Sequence, residues 1–254
     1  MKLKDKVAIV TGSSRGIGKA IALRFAREGA TVILAARTAS ESQLVRGSIY
    51  KTAEEIYSFS GKALPIKTDV SNEAAVEALV RKTVHEFNRV DILVNNAATN
   101  RPAFFKDMSL KNWDTILKVN LRGPVICTKA VLPTMMNQKE GHIITISSVV
   151  ARMIRREPLT GLAYDVSKAA VNRFTRGLAE EVRDYQIAVN AIMPDKTVTE
   201  GTSYLYKTTD MADWRKPDVW GRYAVFVATQ DPTTFTGKIL SEKELKRMCS
   251  PGEV

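Results

Sequence analysis

Tyr164 and Lys168 stand four residues apart in GLAYDVSKAA (161–170), a stretch with a helical pattern. Four residues make about one helical turn, so the two side chains share a face. A free phenol titrates near pH ~10, and a cation within a few ångströms lowers such a value by roughly 1–3 units. The pair is either two ordinary half-buried side chains or a phenol tuned for proton exchange near neutral pH. A second stretch, TGSSRGIG (11–18), carries glycines at 12, 16 and 18. Glycine permits a tight turn and close backbone approach to a pyrophosphate, while the following helix aims free N–H groups at it. The spacing is GxxxGxG rather than GxGxxG. The turn follows the strand pattern VAIVTG and precedes the helix pattern KAIALRFAREGA, the context a dinucleotide-binding turn requires.

The end of the second strand bears on which dinucleotide. An acid there suits the ribose 2′-hydroxyl of NAD, and a nearby arginine suits the 2′-phosphate of NADP. The sequence is LAARTAS, with Ala36 and Arg37 and no acid in reach, and Arg15 inside the glycine turn supplies a second guanidinium. NADP(H) is the expected cofactor, preferred over NADH.

These residues need a frame. Short β-branched runs (VAIVTG, TVILAA, ALPIKTDV, DILVNNA, HIITISS, IAVNAIMP, GKILS) alternate with helix-like segments starting near Gly16, Ile49, Glu73, Leu110, Ala163 and Pro217. This rhythm predicts an α/β fold, a Rossmann-type doubly wound parallel sheet with helices on both faces. No linker, repeat or low-complexity segment divides the 254 residues, so one domain over 1–254 is expected. Ligands of such sheets lie beyond the carboxyl ends of the strands, where TGSSRGIG, TDV, NNAA, ISS and MPDKT all fall.

Composition narrows the function classes. Hydrophobic residues at 44% and charged residues at 26% suit a globular core, and no apolar run is long enough to span a membrane. The start runs directly into a strand pattern, unlike a signal peptide, and Cys127 and Cys249 read as free thiols. A cytoplasmic setting is the expectation. The net charge of +11 raises the question of nucleic acid, but runs such as RKTVHEF and EKELKR mix signs and no base-reading module occurs. Nucleic acid is not an expected partner; an anionic small molecule is a better use of the charge. His85 and His142 stand alone, without ligand spacing, so no metal site is expected.

TGSSRGIG, DV at 69–70, NNAA at 95–98, the Asn of KVNLRG, ISS, YDVSK and NAIMP occur in the order found in short-chain dehydrogenases/reductases, and the chain resembles that family along nearly all its length. The resemblance implies an NAD(P)(H)-linked oxidoreductase with about seven parallel strands, usually a homodimer or homotetramer. It implies that Tyr164 is the general acid/base for a carbonyl or alcohol substrate and that Lys168 also holds the nicotinamide ribose. Ser148 would orient the substrate oxygen, chosen over Ser147 by the family's usual alignment, although the gap to Tyr164 is wider than usual. Asn120 matches the family's fourth catalytic position. Pro124 has no N–H, so the carbonyl of Asn120 loses its ordinary helical donor and is free to hold a water.

Expected cofactor contacts are Gly12, Ser14, Arg15, Gly16, Ile17 and Gly18 in the turn, with Arg37 beside them. The resemblance adds Asp69 and Val70 at the adenine, Asn96 and Ala97 at its ribose, Tyr164 and Lys168, and Pro194 and Thr197 at the nicotinamide carboxamide. Asn95 is expected to brace the sheet. Ala98 and Asp195 replace the family's usual glycines. The segment after Arg37, NAIMPDKTVT and FTGKIL are similar to a hydroxysteroid-dehydrogenase-like branch, without its sterol-carrier domain. Tyr204, Leu205, Tyr206, Met211 and Trp214 either pack on the body or favour a bulky apolar substrate. Arg152, Arg155 and Arg156 form a solvated cluster or meet a substrate anion. A cofactor-binding regulator or scaffold without chemistry is the alternative function.

Overall fold

The computed structural model describes residues 1–38, 47–152, 161–205 and 207–249. Seven strands form one parallel sheet: β1 (Val7–Thr11), β2 (Thr31–Ala36), β3 (Lys62–Lys67), β4 (Ile92–Asn95), β5 (Gly141–Ile146), β6 (Ile187–Met193) and β7 (Ile239–Ser241). Their order is β3-β2-β1-β4-β5-β6-β7, so the chain winds outward in both directions from the β1/β4 boundary. Strands β1, β4, β5 and β6 are buried at every residue, which explains their near-continuous apolar sequences. Pro65 lacks an N–H and sits in edge strand β3, where a missing donor is tolerated.

The helices are α1 (Gly16–Arg27), α2 (Ile49–Tyr57), α3 (Glu73–Phe87), α4 (Leu110–Leu117), α5 (Gly123–Gln138), α6 (Leu162–Glu181), α7 (Glu200–Leu205), α8 (Asp218–Ala228) and α9 (Glu242–Met248). Alternate residues of β1, β2 and β4 feed two cores. Ala8, Val10, Val32 and Leu34 pack with Phe25 of α1 and Trp220 of α8. Val7, Ile9, Ile33 and Leu93 pack with Val76 of α3, Val131 of α5 and Leu178 of α6.

All seven expected strands form, some shorter than their apolar runs. β3 stops at Lys67 and β4 at Asn95, which leaves Asp69, Val70, Asn96 and Ala97 in loops at the sheet's carboxyl edge. The helical stretch from Leu110 is interrupted by a single π turn at Lys118–Arg122, where Gly123 N–H bonds to Lys118 O. Pro124, just beyond, withholds the donor that an α-helix would use there, and such widened turns frequently mark functional sites.

Candidate active site

Two neighbouring cavities open at the carboxyl edge of the sheet. The smaller, of about 300 Å³, is lined by Gly12, Ser14, Arg15, Gly16, Ile17, Arg37, Asp69, Val70, Asn96 and Ala97. The larger, of about 730 Å³, is lined by Ser148, Tyr164, Lys168, Pro194 and Thr197 among others. They share Ile17, Asn96, Ala98, Thr199 and Gly201. The fold thus gathers nearly all the expected site residues. Gly18 and Asn120 line neither cavity.

The small cavity is built by close backbone approach. Gly12 has φ +67°, and a Cβ on Gly18 would come within 2.3 Å of Asn96 Nδ2 and 2.4 Å of Gly12 O. Asn96 Nδ2 donates to Thr11 O (2.9 Å) and Gly12 O (3.2 Å). Thr11 Oγ1 accepts from Asn96 N (3.0 Å) and Ala97 N (3.1 Å). Strands β1 and β4 are therefore stitched together at the point where the sheet order reverses. Asn95, by contrast, donates to Thr128 Oγ1 of α5 at 3.1 Å and braces the sheet.

Arg15 Nη2 donates to Thr38 Oγ1 at 3.0 Å. Burial holds the Arg15 guanidinium below its ordinary pKa, the Glu200 charge opposes that, and the nearby Arg37 charge adds to it. Arg37 is exposed at the rim. Burial pushes the Asp69 carboxyl up, but bonds from Ser71 N (2.9 Å) and Ser71 Oγ (2.8 Å) and the charges of Arg37 and Lys118 leave it below the usual range. An acid with a lowered pKa thus sits within reach of the Arg37 and Lys118 charges at one end of the cavity.

In the larger cavity, Lys168 lies beneath Tyr164, with its Nζ 5.4 Å from the ring centroid. Lys168 is buried, donates to Ile146 O at 2.7 Å, and is pushed down to about 8 by burial. The two serines separate here. Ser147 is buried with its Oγ donating to Lys168 O (3.3 Å). Ser148 is half-buried at the cavity wall, its Oγ accepting from Val150 N at 3.4 Å. Asn120 is 1% exposed and its side chain is fully engaged. It accepts from Thr99 N (2.8 Å) and donates to Thr99 O (2.9 Å) and Ser167 Oγ (3.1 Å). Ser167 in turn donates to Tyr164 O at 2.6 Å, so Asn120 ties the Thr99 loop to the helix that carries Tyr164.

Thr197 is buried, with its hydroxyl donating to Asp195 O (2.7 Å) and accepting from Trp220 Nε1 (2.9 Å). Thr199 and Gly201 went unnoticed in the sequence although both line both cavities. Their signal was position alone, just after MPDKT. Of the apolar residues after β6, Leu205 and Trp214 line the larger cavity; Tyr204 and Met211 do not, and Tyr204 instead lies under Lys207 (5.2 Å). Arg152 lines neither of these two cavities; it donates to Ile239 O (2.7 Å) and pairs with Glu244. Tyr206, Arg155 and Arg156 lie outside the described residues. Among the described residues no group of three or more His, Cys, Asp or Glu is placed to hold a metal, and no helix is long and apolar enough to cross a membrane.

A family model described as short chain dehydrogenase matches residues 6–210. The human hydroxysteroid dehydrogenase-like protein 2 is 35% identical over 250 residues, covering 96% of this chain and 58% of that protein. Its counterpart in Danio rerio is 34% identical over the same length. The chain thus spans under two thirds of the length of these relatives. Among solved structures, a short-chain type dehydrogenase/reductase from Mycobacterium marinum superposes with a TM-score of 0.84 at 31% identity, covering 94% of each chain. A candidate NAD(P)-dependent gluconate 5-dehydrogenase from Beutenbergia cavernae, solved with NADP at low occupancy, gives 0.83 at 30% identity, covering 94% of this chain and 95% of that one.

Proposed function

The chain belongs to the short-chain dehydrogenase family of oxidoreductases, and on that premise we propose that it is an NADP(H)-dependent enzyme interconverting a carbonyl and an alcohol. The observation that carries this reading is the Tyr164–Lys168 pair in a cavity that abuts the arginine-lined glycine turn. The residues fit a dinucleotide: a turn whose close approach to Asn96 leaves no room for a Cβ at Gly18, a helix N-terminus, and two guanidiniums at the far end. When bound, the cofactor supplies or accepts a hydride.

The rest is the work of this chain's own residues. Arg37 and Arg15 bind the 2′-phosphate, the turn from Gly12 to Gly18 takes the pyrophosphate, and Asp69 and Val70 flank the adenine. Asn96 and Ala97 border its ribose, and Pro194 and Thr197 border the nicotinamide carboxamide. Tyr164 donates its hydroxyl proton to the carbonyl oxygen during reduction and takes it back during oxidation. A protonated Lys168 favours the phenolate by its charge, and at a pKa of about 8 it remains mostly charged at neutral pH. Ser148 orients the substrate oxygen. Asn120 is a positioning residue, acting through Ser167 on the Tyr164 backbone.

Leu205, Trp214, Val149 and Val150 on the wall of the larger cavity support a bulky apolar substrate. The family's habit and the exposed apolar Leu162 and Val166 on α6 support a homodimer or homotetramer, which light scattering at micromolar concentration tests. Two free thiols, one of them buried Cys127 with its pKa pushed up to about 12 by burial, are in keeping with a cytoplasmic setting. The activity itself is tested by NADPH consumption against ketones, aldehydes, quinones and oxoacyl thioesters. Turnover of at least one class is expected. NADPH binding without turnover of any would instead favour the regulator, the reading that the replacements at Ala98 and Asp195 support.

A further inference from the structure

The backbone donor that opens α1 already carries an anion. Gly16 N donates to Glu200 Oε2 at 2.9 Å, across 184 residues of sequence. Helices α2, α3, α4 and α9 are each capped by the side chain just before them, from Ser48, Asn72, Ser109 and Ser241. Arg15 holds the same place before α1 and makes no such bond. The carboxylate of Glu200 therefore does for α1 what local caps do elsewhere, at a donor suited to a phosphate. Glu200 is exposed and begins α7, whose next residue, Gly201, lines both cavities.

We propose that Glu200 is an internal competitor for the pyrophosphate subsite, which a dinucleotide fills by displacing its carboxylate from Gly16 N–H. The proposal rests on the small cavity being the cofactor site. Two anions at one N–H repel each other, so the carboxylate must leave before the phosphate can take its place. Its departure also frees Arg15 from an opposing charge, which burial and Arg37 otherwise outweigh. Because NADH and NADPH share the pyrophosphate, Glu200 weakens the binding of both equally. Arg37 acts on the 2′-phosphate and so discriminates between them.

Calorimetric titration of NADPH and NADH into the full chain tests this, using wild type, Glu200→Gln and Glu200→Ala. Thermal unfolding of each unliganded protein checks that the variants are folded. Both variants should bind both cofactors about three- to tenfold tighter, less than a buried charged hydrogen bond would give because the contact is exposed. Unliganded Glu200→Ala should melt slightly lower, since α1 loses its cap, and Glu200→Gln less so, since its amide oxygen still accepts. Unchanged or weaker binding of both cofactors to folded variants overturns the inference alone. Wild-type protein that binds neither dinucleotide overturns the cofactor-site reading, and the inference with it.

Discussion

The two ends of the sheet are both rich in charge, and they use it in opposite ways. At the amino ends, Asp91 is 2% exposed just before β4 and is saturated by partners. Its Oδ2 accepts from Val7 N and Arg89 Nε, both at 2.8 Å, and its Oδ1 accepts from Arg89 Nη2 at 2.5 Å. Lys6 stands 3.6 Å from Asp91 and 2.6 Å from Glu140. At the carboxyl ends, Arg37, Ser148 and Tyr164 line open space. Charges satisfied by one another hold strands together, whereas groups facing a cavity retain capacity for a ligand. On the proposed function the same strands carry a structural end and a chemical end, and substitutions should separate the two.

The largest separation should come from Tyr164→Phe. It deletes one hydroxyl and keeps the ring, so turnover on an established substrate should fall by roughly 10²–10⁴-fold. Cofactor affinity and melting temperature should stay near wild type. Wild-type turnover in that variant would remove Tyr164 from the chemistry, and a large fall in melting temperature would place it with the structural residues.

Asp91→Ala is the converse. It leaves the Val7 N–H without its acceptor and the half-exposed Arg89 without its carboxylate, and loss of hydrogen bonds to a charged group costs about 1.5–3 kcal/mol. Denaturant unfolding should show that loss, while dinucleotide affinity of the folded protein holds. A stability change under ~1 kcal/mol would show that the amino-end network contributes little, as exposed ion pairs do.

Acid should act on the same end. His142 in β5 is held down at about 4, first by burial and then by Lys6, against the opposing charges of Glu140 and Asp91. The unfolded histidine takes a proton near pH ~6.5 and the folded one does not, so its contribution is present above that value. It is lost as pH falls from about 6.5 toward 4, by at most on the order of 3 kcal/mol. His142→Gln should flatten the slope of stability in that window. An unchanged slope would exonerate His142.

The smallest contrast lies within ISS. Ser148→Ala should lower kcat by about tenfold through poorer substrate orientation, on the scale of one neutral hydrogen bond. Ser147→Ala should chiefly cost stability, about 1 kcal/mol, since its hydroxyl meets only Lys168 O. The reverse pattern would exchange the two roles.

What the sequence made legible was local. The glycine turn and the Tyr164–Lys168 spacing follow from neighbours in the chain, and strand burial made the sheet readable as apolar runs. The π turn was foreshadowed by Pro124, but only as a missing donor. Three features depended on tertiary approach and left no local mark. Glu200 reaches Gly16 through the path of the chain after β6. Asn120 spends its side chain on Thr99 and Ser167, which only packing of α6 against the π turn brings near. Arg152, a candidate for a substrate anion by charge alone, is drawn to β7 and α9 instead.

The central claim is that the carboxyl end of the sheet is an NADP(H) site read by charge, and paired titrations of NADPH and NADH test it most directly. Arg37 can give a 2′-phosphate charge-assisted bonds contributing about 1.5–3 kcal/mol each, and Ala36 offers NAD's ribose no carboxylate. Wild-type protein should bind NADPH on the order of 10–100-fold more tightly than NADH, and Arg37→Ala should abolish most of that difference by weakening NADPH alone. Equal affinity for the two cofactors in wild type, or equal losses for both on removing Arg37, would contradict it.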